Sequence, residues 1–228
     1  MTLAGVDEQK KAAAEAAVGL VTEGMVVGLG TGSTARYAIL KLGELARDGF
    51  EIRGVPTSVA TASLAKDLGI PLVSLDECPR LNLTIDGADE VDPRLDMIKG
   101  MGGALFREKL VAAASAEVAI AVDASKLVQR LGSRVPVPVE VHPFGWKVAK
   151  ERVESLGAVA ELRMVGGERY RTDNENYILD ARFHAIRDAG KLERDLSVVP
   201  GVVENGLFVG VASIVFAADS SGVKALRR

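Results

Sequence analysis

Met25-Val-Val-Gly-Leu-Gly-Thr-Gly-Ser-Thr-Ala35 decides the fold of this chain. It opens on an apolar run, passes glycines at 28, 30 and 32, and leads into Tyr37, Ala38, Leu40 and Leu42 at helical spacing. The order is strand, tight turn, helix. Backbone N–H groups converge in such a turn, the helix dipole adds positive potential, and the Ser33 and Thr34 hydroxyls are further donors, so the stretch suits an anion. Glycine there lets the backbone approach a phosphate closely. It is not a Walker loop, because no Gly-x-x-x-x-Gly-Lys-Ser/Thr occurs. It is not a dinucleotide fingerprint either, because Ser33 stands where the third glycine belongs. The competing reading is a plain strand-to-helix turn capped by Thr31 or Ser33.

Around this turn, helices and short apolar strands alternate. A helix is expected over Asp7–Val21 with acidic residues at its start, and the turn's own helix runs to Asp48. Ile52–Pro56, Pro71–Ser74, Leu81–Ile85 and Val118–Val122 read as strands. Ser58–Leu68 and Ala104–Ala116 read as helices. Such alternation predicts an α/β fold, a mostly parallel, doubly wound sheet with helices on both faces. The character changes at Leu131-Gly-Ser-Arg-Val-Pro-Val-Pro138, a connector. Beyond it, strands are expected at Val137–Val141 and Ala158–Met164, and helices at Gly145–Leu156 and Asp188–Ser197. Two hairpins are also expected, Arg169–Arg171 with Tyr177–Phe183 and Val202–Glu204 with Leu207–Val209 across Asn205-Gly206. The β-α-β-β-α-β order suggests a smaller ferredoxin-like α+β domain over 132–209, with 1–131 plus 210–228 forming the α/β domain.

With 228 residues, 48% of them hydrophobic, the chain is long enough for one large domain or two modest ones. Net charge is −3 and no run of like charges occurs, so no nucleic-acid partner is expected. Cys78 is the only cysteine, which excludes an internal disulfide. Its acidic neighbours Asp76 and Glu77 disfavour a thiolate. Met1–Glu8 carries no basic-then-apolar pattern, and no apolar run is long enough for a bilayer, so a cytoplasmic protein with no membrane partner is expected.

Ligands of open α/β sheets bind beyond the carboxyl ends of strands. That rule gathers Gly30–Thr34, Asp86-Gly-Ala-Asp89-Glu90, Lys99–Gly103 with Glu108, and Asp123–Lys126. Asp86, Asp89, Glu90 and Asp92 place four carboxylates in seven residues. They suit either a hard divalent cation or a turn in which carboxylates take backbone N–H groups. Glu108 falls in the first turns of a helix, where a base acting on carbon would need burial to offset the dipole.

These four segments, Gly-Leu-Gly-Thr-Gly-Ser-Thr-Ala (28–35), Asp-Gly-Ala-Asp-Glu (86–90), Lys-Gly-Met-Gly-Gly-Ala-Leu-Phe-Arg-Glu-Lys (99–109) and Asp-Ala-Ser-Lys (123–126), resemble the signature segments of ribose-5-phosphate isomerase, type A, in order and spacing. Pro-Val-Glu-Val (138–141) and Val199–Phe208 resemble its smaller domain. The resemblance implies an aldose-ketose isomerase that interconverts ribose 5-phosphate and ribulose 5-phosphate in the pentose phosphate pathway. It makes Glu108 the catalytic base, puts Asp86 and Asp89 at the sugar oxygens, and puts Lys99 by the reacting carbons. It implies substrate contacts along Thr31, Gly32, Ser33 and Thr34, along Asp86-Gly87-Ala88-Asp89, and along Lys99-Gly100-Met101-Gly102. Lys126 and Lys10 would add positive charge. Met101 departs from the glycine common in relatives, and 215–222 matches less well. Relatives form homodimers or homotetramers.

A metal-assisted hydride shift needs histidines beside carboxylates. The two histidines, His142 and His184, both fall in the small domain, so neither metal nor cofactor is expected. Two competitors share the fold group. A non-catalytic sugar-phosphate sensor would carry a DNA-binding helix-turn-helix, for which the N-terminus has room for only one helix. A coenzyme A transferase or amino-sugar-phosphate deaminase would act on acyl-CoA or glucosamine 6-phosphate.

Overall fold

The computed structural model describes residues 5–228; Met1–Ala4, part of the stretch read above for a leader, lie outside them. In chain order the elements are α1 (Val6–Val18), β1 (Val26–Leu29), α2 (Ser33–Arg47), β2 (Arg53–Pro56), α3 (Val59–Asp67), β3 (Leu81–Asp86), β4 (Glu90–Val91), β5 (Met97–Ile98), α4 (Leu105–Ala113) and β6 (Ser115–Asp123). Then follow β7 (Val137–Val141), α5 (Trp146–Ser155), β8 (Ala158–Leu162), β9 (Met164–Val165), β10 (Glu168–Arg169), β11 (Tyr177–Phe183), α6 (Ala189–Ser197), β12 (Val202–Asn205), β13 (Leu207–Phe208), β14 (Ile214–Asp219) and β15 (Gly222–Arg227). The chain divides into two compact units, Met1–Ala88 with Arg107–Leu127 and Val211–Arg228, and Asp89–Phe106 with Val128–Gly210. Segment 89–106, grouped by the sequence reading with the α/β domain, thus falls in the second unit.

The first unit is built on a six-stranded sheet in the order β2-β1-β3-β6-β14-β15, parallel except for the β14–β15 pair. β1, the last six residues of β6 and the first five of β14 are buried without interruption. Only a sheet covered on both faces hides such runs. Val27, Leu29, Leu83 and Ile85 pack with Ala13 and Ala17 of α1 and with Ile39 and Leu42 of α2. Val26 and Val55 pack with Val111 of α4. From β1 the chain crosses to β2 on one side, then to β3 on the other. This reversal leaves a crevice beyond the carboxyl ends of β1 and β3. The strand expected over Pro71–Ser74 is reduced to one bridge, Gly54 with Leu72.

The second unit contains an antiparallel sheet in the order β12-β7-β11-β8, with α5 and α6 as its crossovers, the ferredoxin-like arrangement. A three-stranded sheet, β13-β5-β4, accompanies it. Neither expected hairpin forms. Glu168–Arg169 pairs with Met164–Val165 across Gly166-Gly167 instead of with β11. Leu207–Phe208 pairs with Met97–Ile98 instead of with β12. Gly206 is absent from the positive-φ residues, so no type I′ turn exists there. Its N–H donates to Pro138 O at 2.7 Å and its carbonyl accepts from Lys99 N–H at 2.9 Å. A Cβ at Gly206 would stand 2.3 Å from Lys99 O, so this glycine serves close backbone approach.

Candidate functional site

In the first unit the loop after β1 is bonded into the end of β3. Asp86, 1% exposed, accepts at Oδ1 from Thr31 N–H (3.1 Å) and Gly87 N–H (2.7 Å). Gly30 N–H donates to Ile85 O at 3.0 Å. A Cβ on Gly30 would lie 2.2 Å from Asp86 Oδ1, and one on Gly28 would lie 2.0 Å from Thr84 Oγ1 and 2.6 Å from Val111 Cγ1. These two glycines therefore clear space for neighbouring protein atoms, a role different from the phosphate approach expected of them. Gly32, at φ +110°, is the N-cap of α2; it brings no side-chain cap, and no acidic residue occupies the first turn. Neither Thr31 nor Ser33 caps the helix, so no side-chain cap is spent on its leading N–H groups. Gly32 and Ser33 are exposed, and Thr34 is half-buried.

Thr31 is tied elsewhere. Its hydroxyl lies 2.7, 2.9 and 3.2 Å from those of Thr57, Ser58 and Thr61. Thr57 and Thr61 donate to the carbonyls of Leu29 and Gly30, each at 2.9 Å. The β2–α3 turn thus fixes the loop from behind, and Ser58 also caps α3 by accepting from Thr61 N–H at 3.0 Å.

Glu108, 4% exposed, sits in the first turn of α4. The C-terminal end of that helix is at the amino edge of the sheet, since Ala114 O accepts from Leu81 N–H at 2.9 Å. Val111 packs at Gly28, in the middle of β1. Glu108, one helical turn earlier, is thereby directed toward the carboxyl edge, the edge that carries Gly30–Thr34 and Asp86. Asp123 ends β6 and accepts from Ser125 N–H (3.1 Å), shaping the turn that carries half-buried Lys126. Gly87 lies 3.7 Å from Thr34 Cβ, measured from an added Cβ, and Ala88 closes this stretch. Lys10 on α1 pairs with Asp7 at 3.6 Å.

In the second unit Lys99 is 4% exposed, with Nζ 5.4 Å from the centroid of the Phe208 ring. At that distance the ring's negative face attracts a cation. Gly100 (φ +103°) and Gly103 (φ +83°) bend the loop, and Met101 and Gly102 are exposed. Asp89 Oδ2 accepts from Met101 N–H at 3.0 Å. Half-buried Tyr170 lies against Gly103, and burial pushes its phenol pKa up, so the hydroxyl stays protonated and directed at Gly102 O, 3.5 Å away.

The other carboxylates of the acidic cluster are consumed by backbone donors. Glu90, fully buried, accepts from Gly132 N–H (2.6 Å), Arg134 N–H (2.6 Å) and Val135 N–H (3.0 Å). Asp92 Oδ1 accepts from Arg94 and Asp96 N–H, both at 2.9 Å. The turn reading of this cluster therefore holds for Asp92, whereas Glu90 is taken up by a segment more than forty residues on. His142 Nδ1 accepts from Phe144 N–H at 3.1 Å, and His184 is exposed. Among the described residues, no group of three or more His, Cys, Asp or Glu is placed to hold a metal ion.

The family model for ribose 5-phosphate isomerase A (phosphoriboisomerase A) matches residues 53–222. The ribose-5-phosphate isomerase A of Synechococcus sp. (strain JA-3-3Ab) is 52% identical over 229 residues, covering 99% of this chain and 100% of its own. This chain belongs to the ribose 5-phosphate isomerase A family. The Gloeobacter violaceus member of the family is 53% identical over 222 residues, 97% of this chain and 96% of its own. A D-ribose-5-phosphate isomerase solved in complex with phospho-erythronic acid superposes with a TM-score of 0.95 at 44% identity, covering 98% of this chain and 100% of the other.

Two groups of residues around the family's signature segments gave no signal in the sequence. Thr57, Ser58 and Thr61 hold the first loop, whereas in the sequence Ser58 and Thr61 are merely part of the helix expected over Ser58–Leu68. Arg163, Asp180 and Tyr170 hold the Gly100–Gly102 loop from more than sixty residues away. No sequence pattern links positions so far apart.

Proposed function

We propose that this chain interconverts D-ribose 5-phosphate and D-ribulose 5-phosphate through an enediolate, by acid-base catalysis. Moving a proton between C1 and C2 requires a base on carbon and stabilisation of the oxyanion that develops beside it. Glu108 takes the proton from one carbon and returns it to the other. Lys99 supplies positive charge or a proton to the oxyanion. Asp86, with Asp89, moves protons among the sugar oxygens, including during ring opening. Thr31, Gly32, Ser33 and Thr34 hold the substrate, with Lys126 and Lys10 adding charge, and binding energy from the non-reacting end positions the reacting one. Correspondence with the family's signature segments supports these assignments. The observation that carries most weight is Glu108 itself, a carboxylate buried to 4% exposure one turn from the helix contact at Gly28.

The chain is further taken to act as a homodimer or homotetramer, as the family resemblance implies, and in the cytoplasm, as the sequence pattern leads us to expect; light scattering after gel filtration tests the assembly. The decisive experiment mixes purified protein with ribose 5-phosphate and EDTA and follows ribulose 5-phosphate. Rapid conversion is expected. A folded protein that leaves ribose 5-phosphate unchanged overturns the proposal.

A further inference from the structure

The Gly100–Gly103 loop lacks regular structure, contains two positive-φ glycines, Gly100 and Gly103, and exposes Met101 and Gly102. One local bond, from Gly103 N–H to Gly100 O at 3.0 Å, closes the turn but leaves the Met101 carbonyl to be held from outside. Arg163, at the end of β8, supplies the constraint. Its Nε and Nη2 donate to Asp180 Oδ2 (2.9 Å) and Oδ1 (2.5 Å), while Nη1 donates to both Gly100 O and Met101 O, each at 3.0 Å. The arginine side chain is 9% exposed and the aspartate 23%. A planar guanidinium can turn one edge to a carboxylate and still present a nitrogen to two carbonyls; an ammonium on a lysine stem has no such fork. The guanidinium also lies 5.8 Å from the centroid of the Tyr170 ring, whose hydroxyl faces Gly102 O.

The peptide units of the loop are trans, so each carbonyl is antiparallel to the N–H in its own unit. Drawing the Gly100 and Met101 carbonyls onto Arg163 turns the Met101 and Gly102 N–H groups the opposite way. Met101 N–H meets Asp89 Oδ2 at 3.0 Å, and by the same antiparallel geometry Gly102 N–H turns away from Arg163. Immobilising an exposed loop with a bidentate ion pair is costly in side-chain entropy and desolvation. The return is a fixed direction for two backbone donors and for the Lys99 backbone beside them.

We propose that Arg163, oriented by Asp180, is a positioning residue that fixes the Lys99–Gly102 loop for substrate. This rests on the reading that this loop binds the sugar phosphate. The test compares Arg163→Lys and Asp180→Asn with Lys99→Ala and Glu108→Gln, all in the full chain, using ribose 5-phosphate turnover, competitive inhibition by inorganic phosphate, and thermal midpoint. Arg163→Lys is expected to lower kcat/KM about 10²-fold, the scale of a 1 Å misplacement. The inhibition constant for phosphate should stay within about twofold, and hydrogen exchange at the Met101 and Gly102 amides should quicken. Should Arg163→Lys fail to fold, Asp180→Asn carries the test, because it leaves the guanidinium in place but frees its orientation. Variants that lose thermal stability while keeping kcat/KM within threefold of the parent overturn the proposal and leave a purely structural ion pair. If Lys99→Ala and Glu108→Gln also retain turnover, the reading of the loop falls instead.

Discussion

Gly30→Ala is a single methyl whose consequences follow from distances alone. An added Cβ would lie 2.2 Å from Asp86 Oδ1, 2.4 Å from its Cγ and 2.6 Å from its Cα. Two of these atoms are not the far end of a flexible chain, so the conflict cannot be relieved by rotating a side chain away. Ordinary contact begins near 3.4 Å, so Asp86 must move by about 1 Å relative to the loop. Overpacking of a tight site costs about 1–3 kcal/mol, and backbone involvement places this substitution at the upper end. For a protein of this size, about 3 kcal/mol corresponds to a fall in Tm of roughly 6–12 °C. The same displacement breaks the Thr31 N–H bond to Asp86 and lowers kcat/KM about 10²-fold if Asp86 moves protons on the substrate. Gly32→Ala is the matched control. Nothing lies within 4 Å of a Cβ there, but φ is +110°, so its cost is backbone strain without a clash. Calorimetry and ribose 5-phosphate turnover on both variants separate the effects. A Gly30→Ala protein with Tm within 2 °C and kcat/KM within threefold of the parent refutes the account of this loop.

Glu108→Gln keeps shape but cannot accept a carbon proton; turnover should fall by roughly 10²–10⁴ while inhibition by inorganic phosphate is unchanged, as steady-state kinetics will show. Ser33→Ala should raise KM with kcat little altered, and an unchanged KM removes that hydroxyl from substrate binding. Glu90→Gln turns an amide NH₂ or a weaker carbonyl toward three backbone donors; about 2 kcal/mol and a Tm lower by about 4–8 °C are expected in thermal melts. Tyr170 has its pKa raised by burial, so its protonated form contributes stability that is complete below the ordinary tyrosine pKa and lost as pH rises through the raised one. The difference in Tm between the parent and Tyr170→Phe should therefore shrink on titrating upward from about pH 10.

Much of the molecule was legible in the residues themselves. β7 was read to the residue, and most helices fell within a few positions of their bounds, because 3.6- and 2-residue periodicities are local. The Met25–Val27 run followed by glycines at 28, 30 and 32 was enough to mark a strand, a loop and a helix start. The misplaced hairpins show the limit. Asn205-Gly206 carries the composition of a tight turn, but Gly206 was selected by the carbonyls of Lys99 and Pro138 on other segments. Arg169–Arg171 had the alternation of a strand that pairs forward, yet Gly166-Gly167 let it fold back on Met164–Val165.

The sequence by itself determined the alternation of strands and helices, the loop after β1 and the set of charged residues that define the family. Tertiary structure decided what each of those residues is free to do. It spent Glu90 and Asp92 on backbone N–H groups and assigned Gly28 and Gly30 to making room for Thr84 and Asp86. It brought Arg163 onto carbonyls 62 and 63 positions earlier. Periodicity and turn chemistry act over a few residues and leave a mark in the string; hydrogen-bond satisfaction and excluded volume are settled only when distant segments meet.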